Sequence, residues 1–435
     1  GRIYGAYTTN AVINEGTGTA LALQTGDVPV GNMEAVQFHP TGLVPSGILV
    51  TESCRGDGGF LLDRDLHRFM VDAEPEKQEL ASRDVVSRHM EQRIRDGFGV
   101  DGAQGSHLWL DLRHLGNAHL STKLREVQEI CRDFLGIDPA KDLIPVRPTQ
   151  HYSMGGIRVN KDGHAYGMKG LFAVGEASCW DLHGFNRLGG NSLAETIVAG
   201  RVVGRQVASF ALRESLNVEL QIASRFAADA AKRIQSWLDR RGGGPSVYEI
   251  RDAVAETMVR KVGVFRTGDE LEAAVADLRH QLGEVDRAQL RSFGPGANPE
   301  LSFALRLRGM TQLALATAMG ALARTESRGA HCRTDYPERD DAHWLNRSLV
   351  RWPDGASEPQ LSYEPVGLLD LPPGDRGYGD TQRREMEISV DTYNGAVEPE
   401  QRSHGAFPTE EPLGSRMNWR AWEGIDHKPT PDRSE

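Results

Sequence analysis

Hydrophobic and polar positions divide the chain into three stretches. Up to about residue 217, short apolar runs alternate with Gly, Pro and Asn turn signals. Residues 17–25, rich in Ala and Leu behind Gly16 and Gly18, predict a short helix. SGILVTE (46–52) fits a strand, and SRDVVSRHMEQRIRD (82–96) has a Ser cap and apolar residues at helical spacing. HLWLDLR (107–113) alternates as a strand does, and a helix is expected over about 121–135. GLFAVGEAS (170–178) reads as a buried strand ending in a Gly turn. NSLAETIVAGRVVGRQVASFAL (191–212) predicts a strong helix with Asn191 or Ser192 as cap. Glu195, three positions after Ser192, suggests a capping box.

From about 218 to 327 the pattern changes to long amphipathic helices, broken at RGGGP (241–245) and FGPGANPE (293–300). This predicts a helical bundle. After Glu326 the chain reads as loop-rich, with DYPERDD, LPPGDRGYGD and a polar tail.

Composition narrows the class. With 435 residues there is room for two to four domains and a substantial core. A net charge of −11 argues against a nucleic-acid protein but leaves room for local basic pockets. No apolar run approaches a membrane span, so any membrane attachment is expected through a partner. Cys54, Cys131, Cys179 and Cys332 are widely separated and match neither a zinc site nor a disulfide scaffold. Small buried hydrophobes in a reducing compartment are the simple reading. No metal site is expected. The opening stretch GRIYGAYTTNAVINEGTGTALAL does not resemble a secretory leader. It reads as mid-domain, so a piece of a longer protein is expected.

Several segments could hold chemistry. GFGVDG (97–102) matches GxGxxG, but it follows a helix and precedes a polar loop, the wrong context for a dinucleotide fingerprint. VQFHPTG (36–42) fixes His39 in a loop. In TESCRGDGG (51–59) the glycines admit close backbone approach, just after Thr51 and Glu52. SRDVVSR (82–88) puts Arg83 in a helix first turn, where a cation is disfavoured unless Asp84 or another carboxylate holds it. HYSMGGIRV (151–159) sets His151 ahead of a Met-Gly-Gly turn. The most specific segment is GEASCWDLHGFNRLGGNSLAE (175–195): strand, Gly-Glu, polar loop, Arg187, two glycines and a capped helix. Free N–H groups at that helix start favour negative charge, such as that of a reduced flavin ring. Arg187 offers a planar fork for a carboxylate. Each of these residues also has a bland reading as a structural His or a surface Arg, and spacing alone does not bring them together.

Seven segments taken together carry a resemblance: NMEAVQFHPTG, TESCRGDGG, LASRDVVSR, PTQHYSMGGI, GLFAVGEAS, HGFNRLGGNSLAE and ESRGAHCRTDYPERDD. In order, over residues 1 to about 342, they resemble the flavoprotein subunit of succinate dehydrogenase and fumarate reductase. The resemblance implies an α/β plus α chain. An incomplete Rossmann-type FAD-binding domain (1–41 and 149–217) would be interrupted by an α+β capping domain (42–148). A helical bundle domain (218–336) and a small C-terminal domain or tail (337–435) would follow. The family's first part, with its GxGxxG unit and the His that links FAD covalently in membrane-bound members, has no counterpart here. Little FAD retention by this chain alone is therefore expected.

The resemblance also implies roles. His39, Thr51, Glu52, His151 and Arg187 match substrate contacts, and Arg83 matches the proton donor and acceptor. Glu176, Ser192 and Leu193 match FAD contacts. The implied reaction is hydride transfer between FAD and a middle carbon of succinate or fumarate, with Arg83 handling the proton. Implied partners are an iron–sulfur subunit and a membrane anchor, in respiratory electron transport and the tricarboxylic acid cycle. The implied location is the cytoplasmic face of the membrane, peripherally. Two alternatives stand beside this: an L-aspartate oxidase, which has similar segments, and a non-catalytic interaction fragment.

Overall fold

The computed structural model describes residues 1–367 except 104, 215–218 and 295. Of the expected C-terminal domain (337–435), the part beyond residue 367, LPPGDRGYGD included, lies outside the described residues. Gly1–Val366 form one unit.

Two sheets organise it. The strands are β1 (Val30–Gly31), β2 (Val36–Leu43), β3 (Phe60–Leu62), β4 (Leu108–Asp111), β5 (Ile144–Ser153), β6 (Gly156–Arg158), β7 (Ser178–Cys179), β8 (Asn346–Arg351) and β9 (Gln360–Pro365). One sheet has the order β7-β6-β1-β8-β9 and the other β2-β5-β4-β3. Pairing is antiparallel except between β6 and β7. A parallel strand–helix unit of Rossmann type is absent among the described residues.

Helices α1 (Thr17–Leu23), α2 (Ser53–Gly56), α3 (Met70–Ala73), α4 (Arg83–Arg93), α5 (Gly116–Lys123) and α6 (Arg125–Leu135) precede β5. Then come α7 (Asn191–Arg213), α8 (Leu220–Asp239), α9 (Val247–Lys261), α10 (Gly268–Arg287), α11 (Pro299–Ala323) and α12 (Asp341–Trp344). The bundle α8–α11 forms for local and packing reasons together. Ser246 and Glu249 close a reciprocal capping box on α9, and Thr267 and Asn298 cap α10 and α11. Leu307, Ala314 and Ala318 of α11 pack in one core with Val254, Met258 and Leu278, and with Leu23 and Val30 from the sheet side. Truncating one such Leu to Ala costs roughly 2–5 kcal/mol. This core fixes the bundle against the β1–β2 segment that leads into the site.

Several sequence expectations need correction. SGILVTE is not a strand: it folds back through Leu43 N–H to Ile48 C=O and one isolated bridge, Gly42 to Leu49, before Thr51 and Glu52 turn into α2. The helix over 121–135 is two helices broken at Leu124. GLFAVGEAS is no continuous strand: Phe172 makes an isolated bridge to His164, a one-turn helix, Gly175–Ala177, follows, and Ser178–Cys179 then pair with β6. The capping box on α7 does not form: Gly190 is the N-cap, without a side-chain bond. The region after Glu326 is not only loop, since β8 and β9 complete a sheet. There Ser348 Oγ donates to Glu34, itself in a buried ion pair with Arg324. Finally, GFGVDG lies at the π-helical end of α4, with Val100 bridged to His107.

Candidate active site

Two paired strands aim the first side chains. All eight residues of β2 are buried, and β2 pairs antiparallel with β5. The register slips between Gln37 and Phe38, whose partners are Tyr152 and Gln150, so His151 has no residue opposite. A bulged residue is re-aimed in this way. His151 lies edge-on to His39, with ring centroids 5.0 Å apart.

Hydrogen bonds fix both tautomers. Thr41 N–H donates to His39 Nδ1 (3.2 Å), which leaves the His39 proton on Nε2. Arg187 Nη2 lies 2.9 Å from His151 Nε2, and Thr9 Oγ1 lies 2.8 Å from His151 Nδ1. His151 thus accepts at Nε2 and is protonated at Nδ1. Burial, with the neighbouring Arg83 and Arg187 charges, pushes His151 down to about 3. Burial, followed by the charges of His151 and the arginines, pushes His39 well below the ordinary histidine value. Both rings are neutral hydrogen-bonding groups at neutral pH.

Arg83 enters from the first turn of α4, and its carboxylate partner is Glu52 rather than Asp84. Arg83 Nε and Nη2 both donate to Glu52 Oε2, at 2.9 and 2.6 Å. Asp84 pairs with Arg88 instead. Burial opposes ionisation of Glu52. The bonds from Arg83, and the charges of Arg83, Arg55 and Arg187, outweigh it and hold the carboxyl below its ordinary value.

Three residues that sequence reasoning passed over complete the cluster. Arg55, fully buried, places Nη2 3.6 Å from Glu52 Oε1 and donates Nη1 to Glu79 C=O. Its Nε and Nη2 have no hydrogen-bond partner among the described residues. The spacing of Glu52 and Arg55, i to i+3, was the available signal. Gln37 accepts from Arg83 Nη1 (3.3 Å) and donates to Asn186 Oδ1 (2.8 Å) and Arg187 C=O (2.7 Å). Gly189 comes so near that a Cβ there would lie 3.2 Å from Glu52 Oε2.

The structure therefore brings His39, Glu52, Arg83, His151 and Arg187 together. Arg187 Nε is buried and unpartnered among the described residues. Thr51 stands beside Glu52, but its hydroxyl engages Ser53. Glu176 lies elsewhere: it accepts from Ser153 N–H (2.9 Å) and lines a cavity of about 440 Å³ with Gly16, Gln150 and Gly155. Ser192 and Leu193 sit on the first turn of α7 and do not line that cavity.

This arrangement of neutral imidazoles and guanidiniums around one carboxylate suits an anion. Residues 1–193 match the model of the FAD binding domain, and residues 251–378 match that of the fumarate reductase flavoprotein C-terminus. The fumarate reductase flavoprotein subunit of Helicobacter pylori is 46% identical over 409 residues, covering 87% of this chain and 57% of that protein. The corresponding subunit of a Serratia species is 36% identical over 409 residues, covering 91% of this chain and 67% of its own. A solved E. coli quinol fumarate reductase chain superposes with a TM-score of 0.80 at 37% identity, covering 86% of this chain and 65% of that one. The chain belongs to the fumarate reductase and succinate dehydrogenase flavoprotein family. It spans 57% of the length of the Helicobacter pylori relative.

Proposed function

We propose that the chain supplies the dicarboxylate side of a flavin-dependent site interconverting succinate and fumarate. The observation that carries this reading is the convergence of Arg83, Arg187, His39 and His151 beside Glu52. A four-carbon diacid needs donors at both ends. Arg187, through its free Nε, and His151 suit one carboxylate. His39, through Nε2–H, and Thr51 at the mouth suit the other. Charge-assisted donors in a buried site hold such anions firmly.

The residues present fit FAD. Helix α7 is 23 residues long, and its start at Gly189 and Gly190 is exposed and has no side-chain cap, beside Arg187. Free amides there suit the negatively polarised edge of the ring. Glu176, Ser192 and Leu193 are the residues that would hold the cofactor. When bound, FAD gives or takes the hydride.

Proton movement belongs to this chain. Arg83 donates to the substrate carbon during fumarate reduction and takes the proton back in the reverse direction. Arginine is a poor acid by itself, so it needs immediate resupply. Glu52, held ionised 2.6 Å away, takes a proton from Arg55 behind it and passes it on to Arg83. Burial pushes the Arg55 guanidinium down, against the pull of Glu52, which eases release. The three residues form a line for protons into the site.

The domain limits proposed are 1–41 and 149–217 for the FAD-binding part, 42–148 for the cap, 218–336 for the helical part and 337–435 for the C-terminal part. The cap limits fall inside β2 and β5, which pair across them. Closure of the cap would then act directly on His39 and His151. Electrons would pass to an iron–sulfur partner: among the described residues no group of three or more His, Cys, Asp or Glu could hold a metal. No helix of the described residues is long and apolar enough to cross a membrane, so peripheral attachment on the cytoplasmic face through an anchor subunit completes the proposal.

The test uses the FAD-loaded holoenzyme. Arg83→Ala should abolish fumarate reduction while malonate, an unreactive diacid, still binds. Full activity in that variant would overturn the proposal. So would peroxide production from aspartate without quinone-linked succinate activity.

A further inference from the structure

Beneath Arg187 lies a buried carboxylate that the proposed reaction does not use. Glu195 faces inward from the second turn of α7 and is buried. Its Oε1 accepts from Trp180 Nε1 (2.8 Å), and its Oε2 accepts from the Tyr152 hydroxyl (3.1 Å) and lies 2.9 Å from His183 Nε2. Three donors on one buried carboxylate make a rigid hub.

The hub reaches the site through Tyr152. The Arg187 guanidinium carbon lies 4.6 Å from the centroid of the Tyr152 ring. The same ring packs with Ala35, Met154, Phe185 and Ala330, and its edge meets His183 at 5.4 Å. A tyrosine donating to a carboxylate carries more electron density in its ring, which strengthens its attraction for a cation. Among the described residues Arg187 is otherwise held by Nη2 at His151 and Nη1 at the Leu188 carbonyl. Both bonds hold outer nitrogens of the guanidinium; the Tyr152 ring adds a contact beneath its central carbon, and Nε has no partner among the described residues.

We infer that Glu195 is a positioning residue: acting through Tyr152, it sets the plane of Arg187 for carboxylate binding. This rests on the reading of the site as a dicarboxylate clamp. The Ser192–Glu195 spacing that resembles a capping box has this use instead.

The test is a double-mutant cycle in the FAD-loaded holoenzyme, with Tyr152→Phe, Glu195→Gln and the double variant. Each single change should raise the Kd for malonate and the KM for fumarate by roughly twofold to fivefold, a fraction of one desolvated cation–π contact, since the ring itself remains. The kcat should stay within about twofold, since Arg187 binds substrate and moves no proton. The double variant should be no weaker than the worse single one, because both act through one ring. Tyr152→Phe removes only a hydroxyl and decides the matter if Glu195→Gln fails to fold. Unchanged Kd and KM in folded variants would overturn the inference, as would additive losses or a fall in kcat alone. If the unmutated holoenzyme binds no malonate, the clamp reading itself fails, which is a separate result.

Discussion

Arg83 directs two of its nitrogens, Nε and Nη2, at a single oxygen of Glu52, leaving Glu52 Oε1 to face Arg55. That division of the carboxylate separates a substrate side from a supply side. Glu52→Gln keeps the shape and a carbonyl acceptor but cannot carry a proton. The expected outcome is a fall in kcat for fumarate reduction of at least about 100-fold, within the usual range for lost proton transfer. The Kd for malonate should move only a few-fold. Steady-state rates with a reduced dye, set beside malonate titration of the flavin spectrum, check this. Loss of binding equal to loss of rate would remove Glu52 from the proton route.

Acid should destabilise the fold in a defined window. His151 is held down at about 3 in the folded protein, against an ordinary value near 6.5. Between these values the unfolded chain binds a proton that the folded one does not. Stability is therefore full above about pH 6.5 and is lost as pH falls toward 3. His39 contributes with the same sign. Thermal melts from pH 7.5 to 4.5 should show Tm falling below about pH 6.5. His151→Gln should flatten that slope, and an equally steep slope in the variant would contradict the assignment.

What the sequence disclosed, and what it hid, follows from the type of interaction. Helices α4 and α7 and the bundle were legible because apolar spacing and Gly breaks are local signals, although the side-chain caps read at Ser82 and at Asn191 or Ser192 do not form. Strand β5 was not legible, because Pro145 and Pro148 cannot donate to a ladder and mask a strand in any local reading. The site residues were legible only through whole-segment likeness. No spacing tells that Arg83 meets Glu52, 31 positions away, rather than adjacent Asp84. Arg55 and Gln37 were missed for opposite reasons. Arg55 was hidden in a Gly-rich stretch that reads as a turn. Gln37 sits two residues before His39, on a strand that Pro40 disguises as a loop. The Ser192–Glu195 spacing misled because Glu195 turns inward to Tyr152, Trp180 and His183.

Gly189 is predicted to be required for space. A Cβ there would stand 3.2 Å from Glu52 Oε2 and 3.6 Å from Arg83 Nη2. The loop is exposed and the atoms a Cβ would meet are side-chain ends, so Gly189→Ala should leave Tm within about 2 °C. The ion pair would have to shift by a few tenths of an ångström. A fall in kcat of roughly fivefold to tenfold is expected, since proton transfer depends steeply on placement. Rates and melts on the same preparation check both halves. A large loss of Tm with unchanged kcat would show that the glycine serves the fold instead.

Gln37 ties the two guanidiniums to one strand. Its Oε1 meets Arg83 and its Nε2 holds the Arg187 carbonyl in a buried setting, and the same Nε2 holds the part-buried Asn186. Gln37→Leu fills similar volume but leaves these acceptors without their donor. Each unsatisfied buried group costs about 1–3 kcal/mol, so a drop of about 2–4 kcal/mol in urea unfolding is expected. Arg83 and Arg187 would also lose their shared reference point. The KM for fumarate should therefore rise and kcat fall together, unlike the changes at Glu52 or Tyr152, which split the two. Gln37→Glu makes the sharper comparison: its carboxylate still accepts from Arg83, but it faces the Arg187 carbonyl and Asn186 Oδ1 without a donor. If the amide's donations are what align Arg187, this variant should bind malonate as weakly as Gln37→Leu. If the bond to Arg83 alone matters, it should bind as the unmutated protein does.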